Sequence, residues 1–173
     1  IFPPFEGREE ANLILGTDLL EHPEKAEGAN NIVIVGGGVV GCETAHWLAN
    51  EYGKNVTVLE MLPHFMMGVC TANRGHLLHY LEKSGVRLYN CTKVKALAKD
   101  GVYVEQNQSQ TVPDPYNTWQ PLLPPNIPNP MEKAIKEEIV EKKIPADLIV
   151  LAMGGKADET FFFEAGEEHL AKE

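Results

Sequence analysis

No apolar run in the 173 residues approaches the roughly 18 that a membrane-spanning helix needs. Basic residues are few, 15 Lys and Arg against 25 Asp and Glu, for a formal net charge of −10. Phosphate backbones and anionic membrane surfaces recruit basic patches. Neither nucleic acid nor a membrane is therefore expected as a partner. Cysteine is scarce too. Cys42, Cys70 and Cys91 make no Cys-x-x-Cys pair, zinc pattern or iron–sulfur spacing. Dithiol redox chemistry and cluster ligation are thereby excluded for this chain. Without a disulfide framework, a reducing, cytoplasmic setting is the expectation. The histidine pair His76 and His79 has i,i+3 spacing but no acidic third ligand nearby, so no metal site is expected.

What is present is an ordinary globular composition, 43% hydrophobic and 23% charged, in a chain of about one domain's length. Asn31-Ile-Val-Ile-Val35 is a β-branched run suited to a strand buried on both faces. Gly36-Gly-Gly38-Val-Val-Gly41 follows at once, and apolar residues at helical spacing continue to Tyr52, before Gly53 in a C-terminal cap position. Val56 to Glu60 reads as a second buried strand. Strand, glycine turn, helix and strand make a βαβ unit. In that context the G-x-G-x-x-G pattern points to dinucleotide binding. Gly36 permits the tight turn, Gly38 lets backbone approach a pyrophosphate, and Gly41 lets the helix pack close to the strands. The helix N-terminus offers free amides to the phosphates. Glu60 lies 19 residues after Gly41, where a carboxylate accepts hydrogen bonds from an adenosine ribose and repels a 2′-phosphate. NAD(H) is therefore favoured over NADP(H). Glu43 is expected in the first helical turn, as a dipole-favoured carboxylate or near the nicotinamide end. His64 reads as a solvated loop residue or one near the adenosine.

Around this unit, residues 1–30 read as a connector with a short strand at Leu13–Leu15 and a short helix over 18–22 capped by Thr17 or Asp18. A helix is expected over 71–84, closed by Gly85, then a strand over 86–89. Residues 93–99 alternate with period two, and Asp100-Gly101 signals a hairpin returning through 102–105. Residues 107–130 carry seven prolines together with Tyr116 and Trp119, a stiff surface excursion that the aromatics dock on this domain or on a neighbour. Residues 131–144 fit either a helix, with Glu132–Lys136 and Glu138–Lys142 as i,i+4 pairs, or the last strand of a meander. Residues 147–153 form another buried strand, ending at Gly154-Gly155. Tyr89-Asn-Cys-Thr-Lys93 matches a Tyr-x-x-x-Lys pattern, but at a strand end rather than on a helix, and is set aside. Cys42 reads as a packing residue between helix and sheet. The fold class expected is α/β: a Rossmann-type three-layer domain with a mostly parallel sheet plus a small antiparallel meander.

The run Asn31 to Glu60, with Gly41-Cys-Glu-Thr-Ala45, resembles the NAD(H)-binding domain of two-dinucleotide flavoprotein reductases. Ala146 to Gly155 resembles the segment that closes that domain, where Gly154 approaches the cofactor. Residues 4–18 resemble the crossing from a flavin domain. Pro113-Asp-Pro-Tyr-Asn-Thr-Trp119, with Pro121 to Pro124, is similar to 2-enoate reductases and related NADH:flavin oxidoreductases of the Old Yellow Enzyme group. The resemblance implies a fragment of a longer enzyme, with a connector over 1–30, an NAD(H) domain over 31–155 and an exit segment over 156–173. FAD, FMN and an iron–sulfur cluster would belong to flavin-binding and barrel domains of the same parent chain. The candidate cofactor-binding residues are Gly36, Gly37, Gly38, Val39, Val40, Gly41, Glu43, Glu60, Met61, Met153 and Gly154. No catalytic residue is assigned, because NADH would pass its hydride to a flavin held elsewhere. Two other readings stay open: that the fingerprint holds FAD, or that the chain is a non-catalytic nucleotide-sensing or interaction module.

Overall fold

The computed structural model describes residues 5–119, 121, 127 and 129–154. The exit segment 156–173, Gly155 and the prolines at 124, 125 and 128 lie outside the described residues. The strands are β1 (Leu13–Leu15), β2 (Asn31–Val35), β3 (Asn55–Leu59), β4 (Arg87–Tyr89), β5 (Thr92–Ala98), β6 (Gly101–Asn107), β7 (Ile139–Pro145) and β8 (Leu148–Leu151). The helices are α1 (Gly16–Glu21), α2 (Val39–Tyr52) and α3 (Thr71–Lys83). Five strands form a parallel sheet in the order β1-β8-β2-β3-β4, and β5-β6-β7 form an antiparallel one.

Strand periodicity builds the layers. Successive side chains of a strand point to opposite faces. Ile32 and Ile34 face the helices, in register with Val56 and Val58 on β3 and with Leu148 and Val150 on β8. Val33 and Val35 face the antiparallel sheet, alongside Ile149 and Leu151 of β8 and against Leu97, Val102, Val104 and Ile144. One parallel sheet thus carries two cores, which is why β8 and residues 32–35 of β2 are apolar at every position. Leu19, Ala45, Leu48, Leu78 and Leu81 complete the helical side. Gly53 closes α2 in the left-handed region at φ 62°. Among the described residues no helix is long and apolar enough to cross a membrane.

Three expectations change. The segment read as a connector is built into the domain: β1 pairs with β8 as a sheet edge, and Leu19 of α1 is fully buried. Helix α1 starts after Leu15 with no side-chain cap, so neither Thr17 nor Asp18 caps it. Of the two readings of 131–144, the meander strand holds and the helix fails. Ile139–Pro145 pairs with β6 over seven residues, and no helix precedes it. Asn107 and Thr111 hold the approach extended: Lys136 N–H donates to Thr111 Oγ1 at 2.7 Å, Glu138 N–H donates to Asn107 Oδ1 at 3.0 Å, and Lys136 C=O accepts from Asn107 Nδ2 at 2.8 Å. Two i,i+4 ion pairs, each about 0.2–0.5 kcal/mol, do not outweigh a full ladder of backbone bonds.

At the amino ends of the strands, Asp147 Oδ2 accepts from the backbone N–H groups of Asn30 and Asn31 at 3.0 and 2.7 Å. These bonds hold its carboxyl below the usual range and tie β8 to the start of β2.

Ile34 is fully buried at the centre of the helical core. Ile34→Ala is expected to cost about 2–5 kcal/mol, read as a lower urea midpoint at unchanged slope.

Candidate functional site

The glycine turn lies at the carboxyl edge of the parallel sheet, where β2, β3 and β8 end at Val35, Leu59 and Leu151. Gly36 has φ 113°, and a Cβ there would stand 2.5 Å from the Ala152 carbonyl oxygen. A Cβ on Gly41 would stand 2.0 Å from the Gly36 oxygen. The turn closes only without side chains at these two positions.

Gly37 has a different task. It is buried, and a Cβ on it would lie 2.4 Å from Phe65 Cδ1 and 2.8 Å from Glu60 Cβ. Its N–H donates to Glu60 Oε2 at 2.7 Å, and its carbonyl accepts from Met66 N–H at 2.8 Å. Glu60 Oε1 accepts from Leu62 N–H at 2.8 Å. Glu60 therefore organises the turn as well as facing it. A carboxylate offers about four acceptor positions, so two backbone donors leave room for a diol.

Gly38 is exposed, and a Cβ added to it would meet nothing within 4 Å. It is the N-cap of α2, which no side chain caps. The first amides of a helix have no intrahelical partner, so this end has donors free for an anion. Val40 and Met61 are 46% and 67% exposed, and Met153 is 47% exposed. With Val39 they give the sheet edge an apolar rim. The uncapped amides, the open space at Gly38 and the carboxylate at Glu60 fit the phosphates and a ribose of a dinucleotide. Gly154, at φ 80°, follows β8 on the same edge. Glu43 departs from expectation: it is the fifth residue of α2, beyond the first turn, and exposed.

Cys42 is fully buried beneath the turn, its thiol donating to the Gly37 carbonyl at 3.6 Å. Burial first, then the nearby Glu60 carboxylate, pushes its pKa up to about 12. It is a packing group, not a nucleophile. Among the described residues no three His, Cys, Asp or Glu side chains could hold a metal ion. Concavities of about 590 Å³ at Phe5–Glu10 and about 350 Å³ beside Tyr80 are lined by no residue of the turn. Gly38, Val39, Val40 and Met61 are exposed, so the site is an open shelf.

Several residues that shape this shelf escaped the sequence reading. Phe65 is fully buried, and Arg74 and Asn90 are buried polar groups. Burial lowers the pKa of Arg74, and the nearby Cys42 opposes that shift. Burial also lowers that of His64, whose Nε2 stands 3.7 Å from Glu132 Oε1, the carboxylate opposing the shift. Tyr116 packs against this domain's helical core, while Trp119 stays 60% exposed. Nothing in local spacing marks Arg74 as buried; an arginine on a helix reads as solvated.

The family model described as pyridine nucleotide-disulphide oxidoreductase matches residues 2–171. The chain belongs to this family. It is 34% identical over 110 residues to a bilirubin reductase of Mediterraneibacter gnavus, covering 64% of this chain and 17% of that protein. It is 33% identical over 88 residues to an NADH oxidase of Thermoanaerobacter brockii, covering 50% of this chain and 13% of that protein. Among solved structures, a 2-naphthoyl-CoA reductase superposes with a TM-score of 0.68 at 23% identity, over 97% of this chain and 20% of that one. That likeness supports the fold, a Rossmann-type α/β domain. The chain spans less than a fifth of the two curated relatives.

Gly37→Ala is expected to push Phe65 off the turn and cost roughly 1–3 kcal/mol, seen as a lower Tm with faster proteolysis after residue 61. Cys42 should resist Ellman's reagent at pH 8 until the chain unfolds, while the exposed Cys70 reacts at once. Its raised pKa also fixes a sign. Below pH 9 both states hold the proton. Between pH 9 and about 12 only the unfolded chain releases it, so stability falls as pH rises through that window. Cys42→Ala should flatten the fall in a urea midpoint series.

Proposed function

We propose that this chain is the NAD(H)-binding domain of a larger flavin-dependent oxidoreductase, positioning NADH for hydride transfer to a flavin held by other domains of the same parent. The observation that carries the reading is the open, uncapped glycine turn of Gly36–Gly41 with Glu60 bonded to its Gly37 amide. The α2 amides would hold the pyrophosphate. Glu60 would take the adenosine ribose and exclude a 2′-phosphate. Val40, Met61 and Met153 would flank the cofactor with apolar surface, and Gly154 would leave room for its backbone to approach. When bound, NADH supplies the hydride; this chain's residues orient it. No residue here is assigned a proton-transfer role.

The parent type we favour is the 2-enoate reductase and NADH:flavin oxidoreductase group. Support comes from the Pro113–Trp119 run and from two curated relatives named as a bilirubin reductase and an NADH oxidase. FAD, FMN and an iron–sulfur cluster would sit in the flavin-binding and barrel domains. This chain has no second glycine fingerprint for FAD and no cluster-spaced cysteines, so alone it should bind a nucleotide and turn over nothing.

Calorimetric titration of the chain with NADH, NADPH and FAD tests this. NADH should bind more tightly than NADPH, and Glu60→Ala should weaken NADH roughly tenfold, the equivalent of about 1.4 kcal/mol. Tight FAD binding without an NADH response would make this the flavin domain instead.

A further inference from the structure

Two buried side chains each reach two carbonyl groups, and the carbonyls come from the same two segments. Asn90 Nδ2 donates to Pro63 O at 2.7 Å and to Pro113 O at 2.8 Å. Arg74 Nε donates to Phe65 O at 2.9 Å, and its Nη1 donates to Asn117 O at 3.1 Å. The loop that follows β3 is therefore joined twice to the proline-rich excursion, from α3 and from the turn after β4.

The excursion is itself braced. The Tyr116 hydroxyl donates to Val86 O and accepts from Leu88 N–H at 3.1 Å, pinning the segment to the start of β4. Asp114 Oδ1 and Asn117 Oδ1 accept from the N–H groups of Tyr116 and Trp119, both at 3.0 Å. Thr118 lies against α3, where a Cβ on Gly75 would stand 3.2 Å from its carbonyl oxygen. On the other side the loop meets the glycine turn, through the Phe65 ring over Gly37 and the Met66 N–H bond to the Gly37 carbonyl. Contacts thus run from 113–117 through Arg74 and Asn90 to 63–66, then to Gly37 and Glu60.

Arg74 is 2% exposed, and among the described residues no carboxylate forms an ion pair with it. Burying a cation against carbonyl oxygens alone is costly. An apolar side chain of similar length would fill the space but join nothing.

We infer that Arg74 and Asn90 are positioning residues that clasp segment 113–117 to loop 63–66 and thereby hold the Gly37–Glu60 wall on the adenosine side of the nucleotide site. The inference rests on the nucleotide-binding reading above. It makes segment 113–117 part of the binding apparatus.

The test compares Arg74→Met, Asn90→Leu and Tyr116→Phe in the full chain. The first two open the clasp; the third loosens the excursion without touching loop 63–66. Affinities for NADH and for reduced nicotinamide mononucleotide, which lacks the adenosine half, are measured by calorimetry. Hydrogen exchange is followed without ligand at the amides of Gly37, Leu62 and Met66 and at those of Asn117 and Trp119. Both clasp variants should weaken NADH roughly tenfold, as for a wall in its competent form a tenth of the time, with the mononucleotide unchanged. Exchange should rise in both amide groups together. Tyr116→Phe should lower Tm yet keep the ratio of the two affinities. Equal weakening of both ligands, or unchanged exchange at Gly37, Leu62 and Met66, would overturn the inference. If the unsubstituted chain binds no NADH, the functional reading falls, while the exchange data still decide whether the clasp exists. If Arg74→Met does not fold, Asn90→Leu gives the same readings.

Discussion

The glycine turn exists because backbone replaces side chains where three elements meet. Gly36, Gly41 and Ala152 approach so closely that a single added methyl would collide with a carbonyl oxygen. That contact sets the distance between α2 and the sheet. It also directs the uncapped amides of α2 outward from the ends of β2 and β8. Moving any of the three elements would close the shelf or turn the amides into protein.

Glu60 then transmits this geometry sideways. One oxygen holds Gly37, the other holds Leu62, and the carboxylate sits between the turn and the loop after β3. An ionised acceptor strengthens such bonds. The residue that would recognise a ribose is thus already oriented by the protein, which lowers the ordering cost of binding. Phe65 covers Gly37 from the same loop, and the loop's own position depends on side chains distant in sequence. The shelf is rigid at its back and open at its front.

Membership of the family places this chain among proteins several times its length, and its composition agrees with a division of labour. The chain has no Cys-x-x-Cys, and its fully buried cysteine is packed beneath the turn with its thiol pKa raised. Under the proposed reading it would present a surface for holding a nucleotide, with the electron acceptor supplied by other domains.

The strand–turn–helix unit, Glu60 and the closing strand were legible because each depends on local rules: β-branched runs, glycine spacing, helical periodicity and a left-handed cap at Gly53. The double-faced burial of β2 and β8 was legible from unbroken apolar runs. Residues 131–138 were not, because their ion-pair spacing favours a helix while Asn107 and Thr111, far away in the chain, take the backbone groups a helix needs. Glu43 was expected in the first turn of α2, but counted from Val39 it is the fifth residue and falls just past that turn. The role of 1–30 was hidden because pairing of β1 with β8 joins residues more than a hundred apart. Arg74 and Asn90 show the limit most plainly. Nothing in their sequence neighbourhoods marks them as buried, yet their partners are carbonyls brought together only when loop 63–66 and segment 113–117 fold onto α3. Sequence alone determined the glycine turn and its carboxylate; tertiary packing decided what holds them in place, because hydrogen bonds between distant segments leave no periodic trace in the chain.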